Sequence, residues 1–370
     1  MPYLSRCKNF RFRFLVGKDQ ALHSRKRVEH TMSRLEALWK RGREFLEVDI
    51  PIIAGAMTWI SDSRFVSAVS NAGAFGSLAA GNMEPSLLDS EIKRVQELTD
   101  KPFAVNLITI APHYKEHLAI ATKNNVPFIV FAGSFPRQPE VRIAKESGAK
   151  VMSFASTESI ARRLIEMGVD ALILEGSEAG GHVGHVSLGI LLQQVLFKID
   201  EVPIFVAGGI ASGSYIAHLL LMGAAGVQLG TVFVMTEECC AHPQFKQAFI
   251  RARARDAVAT PQIGSELKVV AVRALRNKGL DAFAELQVDL LQKRRSGEIS
   301  HAEAQYQVEE FWVGALRKAV QEGDIDFGSL MAGQSVGLVH QVLPLKQALH
   351  GLIKEAEAAL DKIKDKCESI

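Results

Sequence analysis

The sequence predicts an α/β protein, a (β/α)8 barrel of the TIM type with a helical second lobe inserted after the last strand. From about residue 48, eight short apolar runs alternate with amphipathic stretches whose apolar residues recur at intervals of three and four. The runs show little alternation of apolar and polar residues, which is typical of parallel strands buried on both faces. After Phe233 this rhythm stops, and residues 236–325 contain helix-like segments in succession. Eight strand–helix units favour a closed barrel over an open doubly wound sheet, which is the alternative.

The predicted strands are the eight apolar runs, and helix signals separate them. In chain order the runs are VDIPIIAGAM, FGSLAAG, FAVNLI, PFIVFAG, KVMSFAS, ALILEG, PIFVAGG and GVQLGTVFV. Thr157 and Ser212 stand where helix N-caps are expected, and Gly168 and Gly223 follow predicted helices as stop signals. A last amphipathic helix over about residues 343–366 is expected to pack on the barrel as its eighth helix.

These patterns divide the chain into four parts. Residues 1–45 form a basic N-terminal extension, and residues 46–235 form the barrel. Residues 236–328 form a helical substrate lobe, and residues 329–370 return to the barrel and end in the C-terminal helix.

Composition argues against two classes of protein. The chain has 48% apolar and 23% charged residues, as in ordinary globular domains. No apolar run reaches the about 18 residues that a membrane span requires. Residues 1–43 hold twelve Lys or Arg and three acidic residues, so they carry +9 and the remainder carries −7. Because the body is mildly acidic, we expect binding to neither nucleic acid nor membrane.

The basic extension has three interpretations. It is Arg-rich and has no acidic residue before Asp19, as in transit peptides. It could also contact an anionic partner or a neighbouring subunit. We favour a solvated extension whose second half, SRKRVEHTMSRLEALWKRG, forms a surface helix. The arm up to about Lys40 is then expected to be dispensable for ligand binding.

The four cysteines form no disulfide framework. Cys239 and Cys240 are adjacent, Cys7 and Cys367 lie near the termini, and no C-x-x-C occurs. Reduced thiols and a cytoplasmic location are therefore expected. The adjacent pair follows the last predicted strand, and we favour simple packing over thiol chemistry for it.

A barrel of this type places its site at the carboxyl ends of the strands. Gly208-Gly209 and the stretch QLGT end the seventh and eighth runs, where such barrels bind phosphate through bare backbone N–H groups. Tight turns alone would also explain these glycines. The candidate binding residues at the ends of the first, third, sixth, seventh and eighth runs are Ala54, Gly55, Ala56, Met57, Asn106, Glu175, Gly180, Gly181, His182, Gly208, Gly209, Gln228, Leu229, Gly230 and Thr231.

His182 stands among four glycines in the stretch LILEGSEAGGHVG, after the sixth run. So many glycines indicate that something approaches the backbone closely, although a plain turn with an incidental histidine is the alternative. The spacing of His182 and His185 would suit one helix face, but no third ligand is near, so we predict no metal site. Neither G-x-G-x-x-G nor a P-loop occurs.

Seven stretches of the chain together resemble the nitronate monooxygenase family, formerly called 2-nitropropane dioxygenases. They are PIIAGAMTW, NAGAFGSLAAGN, DKPFAVNL, EGSEAGGHVGH, VPIFVAGGIASG, GVQLGTVFV and GSLMAGQSVGLV, in order over about residues 46–350. Members of this family are flavin enzymes on a (β/α)8 barrel. The superfamily also contains flavin-dependent enoyl-acyl-carrier-protein reductases and NADH:quinone reductases. The stretches AMTWISD, FVMTEECCAHPQFKQA and GDIDFGSLMAGQ are at least as similar to the reductases.

The resemblance implies FMN as the cofactor. Met57 and Asn106 would lie against the flavin, and Glu175, where many relatives have Gln, would lie near the ribityl chain. The residues that would hold the ribityl phosphate are Gly180, Gly209 and Gln228–Thr231.

The resemblance also implies an activity. His182 would be the catalytic base that takes the α-proton of a nitroalkane, because an imidazole accepts protons near neutral pH. Alkyl nitronates would be oxidised by O2 to carbonyl compounds and nitrite, with FMN carrying the electron chemistry. Ser329, Met331 and Gln334 would face the small-molecule substrate from the helical lobe.

Two other functions are open at this point. An FMN-dependent NAD(P)H reductase acting on enoyl-ACP or quinone needs only a surface for the nicotinamide, and such a surface leaves no short motif. A barrel that binds a phosphorylated ligand without catalysis would purify without a yellow flavin. The oligomeric state is also open, a homodimer included.

Overall fold

The computed structural model describes residues 33–264, 266–267 and 270–369. Residues 1–32, which contain most of the predicted basic extension, lie outside the described residues. Within the described part of the chain, no helix combines the length and apolar character that crossing a membrane requires.

Eight parallel strands close a barrel, which confirms the predicted fold class. The strands of the described chain are β1 (Ile52–Ala54), β2 (Phe75–Ala79), β3 (Phe103–Ile108), β4 (Phe128–Ala132), β5 (Lys150–Phe154), β6 (Ala171–Glu175), β7 (Gly181–His182), β8 (Ile204–Ala207), β9 (Gly226–Leu229), β10 (Ala257–Ala259) and β11 (Val272–Leu275). The barrel order is β1-β2-β3-β4-β5-β6-β8-β9, and β9 closes it by pairing with β1, Gln228 beside Ile53. Each predicted apolar run contains one of these barrel strands.

A helix follows each barrel strand before the next one begins. The α-helices of the described chain are α1 (Arg34–Leu38), α2 (Lys40–Leu46), α3 (Ser63–Asn71), α4 (Pro85–Leu98), α5 (Tyr114–Lys123), α6 (Gln138–Glu146), α7 (Glu158–Glu166), α8 (Leu188–Leu191), α9 (Gly213–Leu221), α10 (Thr231–Val234), α11 (Pro243–Arg251), α12 (Lys278–Arg295), α13 (His301–Arg317) and α14 (Leu345–Glu368). As predicted, the hydroxyls of Thr157 and Ser212 cap α7 and α9 by accepting hydrogen bonds from the N–H groups of Ile160 and Tyr215.

The side chains of the barrel strands alternate between two apolar cores. In β6, Leu172 and Leu174 pack outward among the surrounding helices, whereas Ala171 and Ile173 pack inside the barrel. Because side chains point to opposite faces at successive strand positions, the next interior position on β6 is Glu175. This position lies at the carboxyl end of the strand, above the apolar interior.

Helices α1 and α2 belong to the barrel body, which corrects the predicted boundary at residue 46. Leu35 and Trp39 are 1% and 4% exposed, and Leu46 is buried with the interior residues of the barrel. The sequence suggested a surface helix because Lys and Arg surround these apolar side chains, but the basic groups face outward while the apolar ones pack inward. A truncation at Lys40 would therefore remove core residues as well as the basic arm.

The lobe after β9 contains a small sheet in addition to its helices. The sequence predicts helices throughout residues 236–325, but β10 and β11 form an antiparallel pair there, and β7 joins the edge of β11. Val272 and Ala274 are buried, whereas Arg273 between them is half-buried and points to the other face. A short apolar run does not distinguish a strand from a helix start, and the pairing partner, β7, is distant in sequence.

The C-terminal helix α14 packs against α9 on the outside of the barrel. The carboxylate of Glu355 accepts a hydrogen bond from the N–H of Gly213 at 2.8 Å, so α14 satisfies a free donor at the start of α9. Asp361 forms an ion pair with Arg34 of α1 at 2.7 Å. The two ends of the described chain therefore meet on the same side of the barrel.

The packing of α1 predicts a large difference between two leucine truncations. Leu35→Ala should lower the free energy of unfolding by about 2–5 kcal/mol, because it removes a buried side chain and leaves a cavity. Leu87→Ala on α4, where the side chain is 47% exposed, should change it by less than about 1 kcal/mol. Chemical denaturation of both variants and the parent protein measures the difference. Equal effects would show that α1 does not contribute to the core.

Candidate functional site

Three polar side chains meet at the open, carboxyl end of the barrel. Asn106 on β3 and Glu175 on β6 occupy interior positions, since Ala104 and Ile173 two residues earlier pack inside the barrel. Gln228 on β9 joins them, and we call these three side chains the polar layer. Within the described residues, none of the three has a side-chain hydrogen bond or ion pair. None of their polar atoms is among the fully buried, unpaired atoms of the described residues, so solvent reaches the polar layer and it has unused capacity to bind a ligand.

Glu175 carries the ionisable group of the polar layer. The neighbouring interior positions are apolar, with Phe154 on β5 and Ala207 on β8. Desolvation raises the pKa of the Glu175 carboxyl to about 8. A neutral carboxyl can donate one hydrogen bond, whereas a carboxylate can only accept. With Glu175 protonated, the polar layer would hold no net charge.

The glycines after β8 and β9 leave backbone N–H groups free. In the described part of the chain, the N–H groups of Gly209, Gly230 and Thr231 have no hydrogen-bond acceptor. Gly208 and Gly209 have φ of 98° and 71°, which a residue with a Cβ rarely adopts. A Cβ on Gly209 would also lie 2.9 Å from the Cβ of Glu178. Free N–H groups at such a turn form a concavity that suits an anion.

The segment that returns from the lobe packs directly on the glycine loop after β6. The N–H of Gly333 donates to Oγ1 of Thr231 at 3.1 Å, and the N–H of Gln334 donates to the carbonyl of Glu178 at 2.9 Å. A Cβ on Gly180 would lie 2.5 Å from the backbone nitrogen of Gly333. The contact between the two backbones therefore requires glycine at position 180, whether or not a phosphate binds nearby.

His182 lies between the barrel and the lobe. It belongs to β7 and pairs with Val272 of β11, so its backbone is part of the small sheet rather than a free loop. Its side chain is 47% exposed, and Nε2 lies 3.5 Å from Oε2 of Glu309 on α13. The sulfur of Met331 lies 3.7 Å from the place that a Cβ on Gly181 would occupy. The imidazole is thus held on the lobe side of the site, with solvent access.

Arg273 on β11 fixes the loop that carries His182. Its Nε donates to the carbonyl of Ser177 at 3.0 Å, and its Nη1 donates to the carbonyl of Ala257 at 2.6 Å. Partial burial lowers the pKa of this guanidinium, and the nearby Glu178 carboxylate opposes the shift. Arg273 therefore joins the glycine loop to β10 through two charge-assisted hydrogen bonds.

The loop after β1 closes the site beside α13. The N–H of Gly55 donates to the carbonyl of Leu229 at 3.0 Å, which continues the β1–β9 pairing. The N–H of Met57 donates to Oγ of Ser61 at 3.0 Å. Trp59 has φ of 66°, an uncommon value for a bulky residue, and its indole N–H donates to the carbonyl of Val313 on α13 at 3.1 Å. The lobe therefore also holds this loop in position.

The other predicted site residues contribute less to an open pocket. Ala54 and Leu229 are buried, so only their backbone can face a ligand, and Ala56 is half-buried in the loop after β1. Ser329 is buried as well, and its hydroxyl has no partner within the described residues. The structure thus separates the predicted set into a group at the strand ends and a second group, with His182, on the lobe side.

Sequence reasoning missed four residues that organise the site. Trp59, Glu178, Arg273 and Glu309 act through contacts with segments far away in the chain. Glu178 was visible inside the glycine stretch, but its role depends on the returning segment, which no local pattern predicts. The other three lie in a turn, a strand and a helix face whose partners only the folded chain defines.

The adjacent cysteines do not form a reactive thiol site. Cys239 is buried, which raises the pKa of its thiol to about 11, and burial raises the pKa of Cys240 as well. The ammonium of Lys246 donates to the carbonyls of Thr236 and Cys239, both at 2.7 Å, and so fixes this turn. A thiol that stays protonated at neutral pH is a poor nucleophile. Across the described residues, no group of three or more His, Cys, Asp or Glu is arranged for a metal ion.

Comparison with known proteins identifies the family. The sequence pattern of the family described as nitronate monooxygenase matches residues 40–123 and 108–355. The chain belongs to the nitronate monooxygenase family. The assignment makes the protein an oxidoreductase and agrees with the resemblance seen in the seven sequence stretches.

Individual relatives of this nitronate monooxygenase family member have different names. FabK from Thermotoga maritima has a similar structure, with a TM-score of 0.77 and 33% identity over 91% of this chain and 99% of that chain. A probable nitronate monooxygenase of Bacillus subtilis is 30% identical over 82% of this chain and 95% of its own. The (3aS,4S,5R,7aS)-5-hydroxy-7a-methyl-1-oxo-octahydro-1H-indene-4-carboxyl-CoA dehydrogenase of Mycobacterium tuberculosis is 28% identical over 85% of this chain and 94% of its own.

The two hydrogen bonds of Arg273 predict that this family member depends on it for stability. Arg273→Met should lower the free energy of unfolding by about 1–3 kcal/mol, because the carbonyls of Ser177 and Ala257 lose their donor. Arg276→Met, at an exposed site just after β11, should change it by less than about 0.5 kcal/mol. Denaturation curves of both variants measure the difference. An equally large loss of unfolding free energy in Arg276→Met would contradict a stabilising role for the two hydrogen bonds of Arg273.

The raised pKa of Glu175 predicts a pH-dependent stability in the ligand-free protein. The folded state keeps its proton up to about pH 8, whereas the unfolded chain releases it near the ordinary glutamate value of about 4.3. Between these values the folded state binds more protons, so stability falls as pH rises, by about 1.4 kcal/mol per pH unit. Glu175→Gln should remove this slope. Unfolding free energies of parent and variant across the same pH range give the result, and parallel curves would contradict a neutral Glu175.

Proposed function

We propose that the protein is an FMN-dependent enzyme that oxidises alkyl nitronates with O2 to carbonyl compounds and nitrite. The observation that carries the proposal is the pairing of an unsatisfied polar layer with free backbone N–H groups at the same end of the barrel. A ligand with a polar ring edge and an anionic tail would satisfy both features. The assignment to the nitronate monooxygenase family supports the same proposal.

The residues present fit FMN. The free N–H groups of Gly209, Gly230 and Thr231 would hold the phosphate, where a Cβ at position 209 would obstruct the turn. The amides of Asn106 and Gln228 can each donate and accept, as the polar edge of a flavin requires. Bound FMN would supply the electron acceptor for the reaction.

His182 would move the substrate proton. Nε2 lies 3.5 Å from Oε2 of Glu309, so in the tautomer that carries its proton on Nε2, Nδ1 would accept the α-proton of a nitroalkane. The imidazolium so formed would stand beside a carboxylate, which stabilises it modestly at this exposed position. The pairing of β7 with β11 would keep the imidazole oriented during the transfer. Met331 and Gln334, on the returning segment, would face the same substrate.

A second candidate function is an FMN-dependent NAD(P)H reductase acting on an enoyl thioester or quinone. The stretches AMTWISD and GDIDFGSLMAGQ favour it, and so does the name of the mycobacterial relative, which specifies a carboxyl-CoA compound. Both candidates use the same flavin site. They differ in whether a reduced nicotinamide delivers electrons to the flavin.

The proposal predicts that His182→Ala separates two substrates. Removing a positioned base should slow oxidation of a neutral nitroalkane by about 10²–10⁴-fold. A pre-formed nitronate has already lost the α-proton, so its oxidation should fall much less. The variant should keep FMN, because the phosphate contacts lie on other strand ends. Steady-state rates on both forms of one substrate, together with the flavin absorbance spectrum, measure these effects.

The matched control for this experiment is His185→Ala, which removes an exposed imidazole from the same loop. It should leave both rates close to those of the parent protein. Equal losses on both substrates in His182→Ala would show that His182 positions the substrate rather than accepts its proton. No activity of the parent on either substrate, with rapid anaerobic bleaching of the flavin by NADH, would favour the reductase.

A further inference from the structure

We propose that Glu175 binds the cofactor in its neutral form by donating a hydrogen bond to it, so that flavin binding is linked to proton uptake. This inference rests on the proposed FMN site and adds a proton to the description of the bound state. It concerns affinity and its dependence on pH, and it leaves the chemistry of the substrate unchanged.

The position of Glu175 leaves a bound ligand as the partner of its carboxyl. The side chain points into the barrel at the end of β6, between the apolar interior positions of Phe154 and Ala207. Asn106 and Gln228 share the polar layer, but neither forms a hydrogen bond with Glu175 in the described chain. The backbone of Gly176, the next residue, lies against the turn that begins after β8. Glu175 is therefore one residue away from the backbone that contacts the turn of the proposed phosphate site.

Charged groups near this end of the barrel are already paired with other atoms. From the loop after β6, the Glu178 carboxylate accepts from the N–H of Leu188 at 3.0 Å. From β11, the Arg273 guanidinium donates to backbone carbonyls. From β7, His182 faces Glu309 on α13. No charged group in the described chain shifts the pKa of Glu175, so an ionised carboxyl there would have no counterion.

The chemistry of FMN favours a neutral carboxyl at this place. The ring edge and the ribityl chain offer carbonyl, nitrogen and hydroxyl acceptors, and a protonated carboxyl can donate to any of them. A carboxylate cannot donate, and its charge would repel the FMN phosphate bound at the neighbouring strand ends. Binding should therefore stabilise the protonated form further.

The sign of the resulting pH dependence follows from proton linkage. Below about pH 8 the free protein already holds the proton, so the affinity for FMN should not change with the state of this group. Above that pH the free protein loses the proton, whereas the complex retains it. The dissociation constant should then rise by up to about tenfold per pH unit.

The test measures FMN binding to flavin-free protein from about pH 6 to about pH 9, by quenching of FMN fluorescence. The dissociation constant of the parent protein should rise by up to about tenfold across the last pH unit. Glu175→Gln keeps the shape and a donor but does not titrate, so its profile should be flat over that unit. The titrations of free FMN itself are common to both proteins and cancel in the ratio. Glu237→Gln, which removes an exposed carboxylate after α10, should keep the parent profile.

A second measurement on the parent protein covers the case in which Glu175→Gln fails to fold. Adding FMN to flavin-free protein in weak buffer at about pH 8.5 should remove protons from solution, as an indicator dye reports. Absence of proton uptake, or identical pH profiles in parent and Glu175→Gln, would overturn the role of Glu175 and leave the FMN site intact. Absence of FMN binding by every protein at all pH values would overturn the proposed function and this inference together.

Discussion

The pairing of β7 with β11 is the contact on which the arrangement of the site depends. β7 is formed by only Gly181 and His182, and it could not persist without a partner strand. The partner comes from the lobe, so the lobe holds the end of the glycine loop in position. Arg273 strengthens the same junction from β11. The barrel thus supplies the binding groups at the strand ends, and the lobe sets the position of the histidine.

The glycines of the site are required for different physical reasons. Gly180 must lack a side chain because the backbone at Gly333 approaches it closely, whereas Gly209 combines a positive φ with a free N–H. The first reason concerns the docking of the lobe, and the second concerns the turn conformation and an available backbone donor. A motif rich in glycine can therefore combine structural and binding requirements within a few residues, and only the contacts separate them.

The sequence predicted those parts of the molecule that depend on local periodicity. The apolar runs locate all eight barrel strands, and the same period of two explains why Asn106 and Glu175 face the interior. The helical period of the apolar residues is consistent with the packing of α1 on the barrel. Because basic residues surround them, the sequence suggested a surface helix and the burial of Trp39 was not predicted. The strands β10 and β11 and the role of Arg273 could not be predicted, because each is decided by a partner far away in sequence. The contacts described between the barrel and the lobe also join residues that are far apart in sequence.

The polar layer shows how a barrel interior can carry polar groups at its open end. Solvent reaches these three groups in the free protein, but each would cost free energy if a ligand covered it without pairing it. The cost is smaller if Glu175 stays neutral, because no isolated charge is then buried beside the amides of Asn106 and Gln228. A ligand that forms hydrogen bonds with all three groups avoids this cost. The anionic part of such a ligand can bind at Gly209 and Gly230 without facing a like charge in the layer. Separation of neutral polar groups from free backbone N–H groups would therefore let one end of the barrel bind both parts of the proposed ligand.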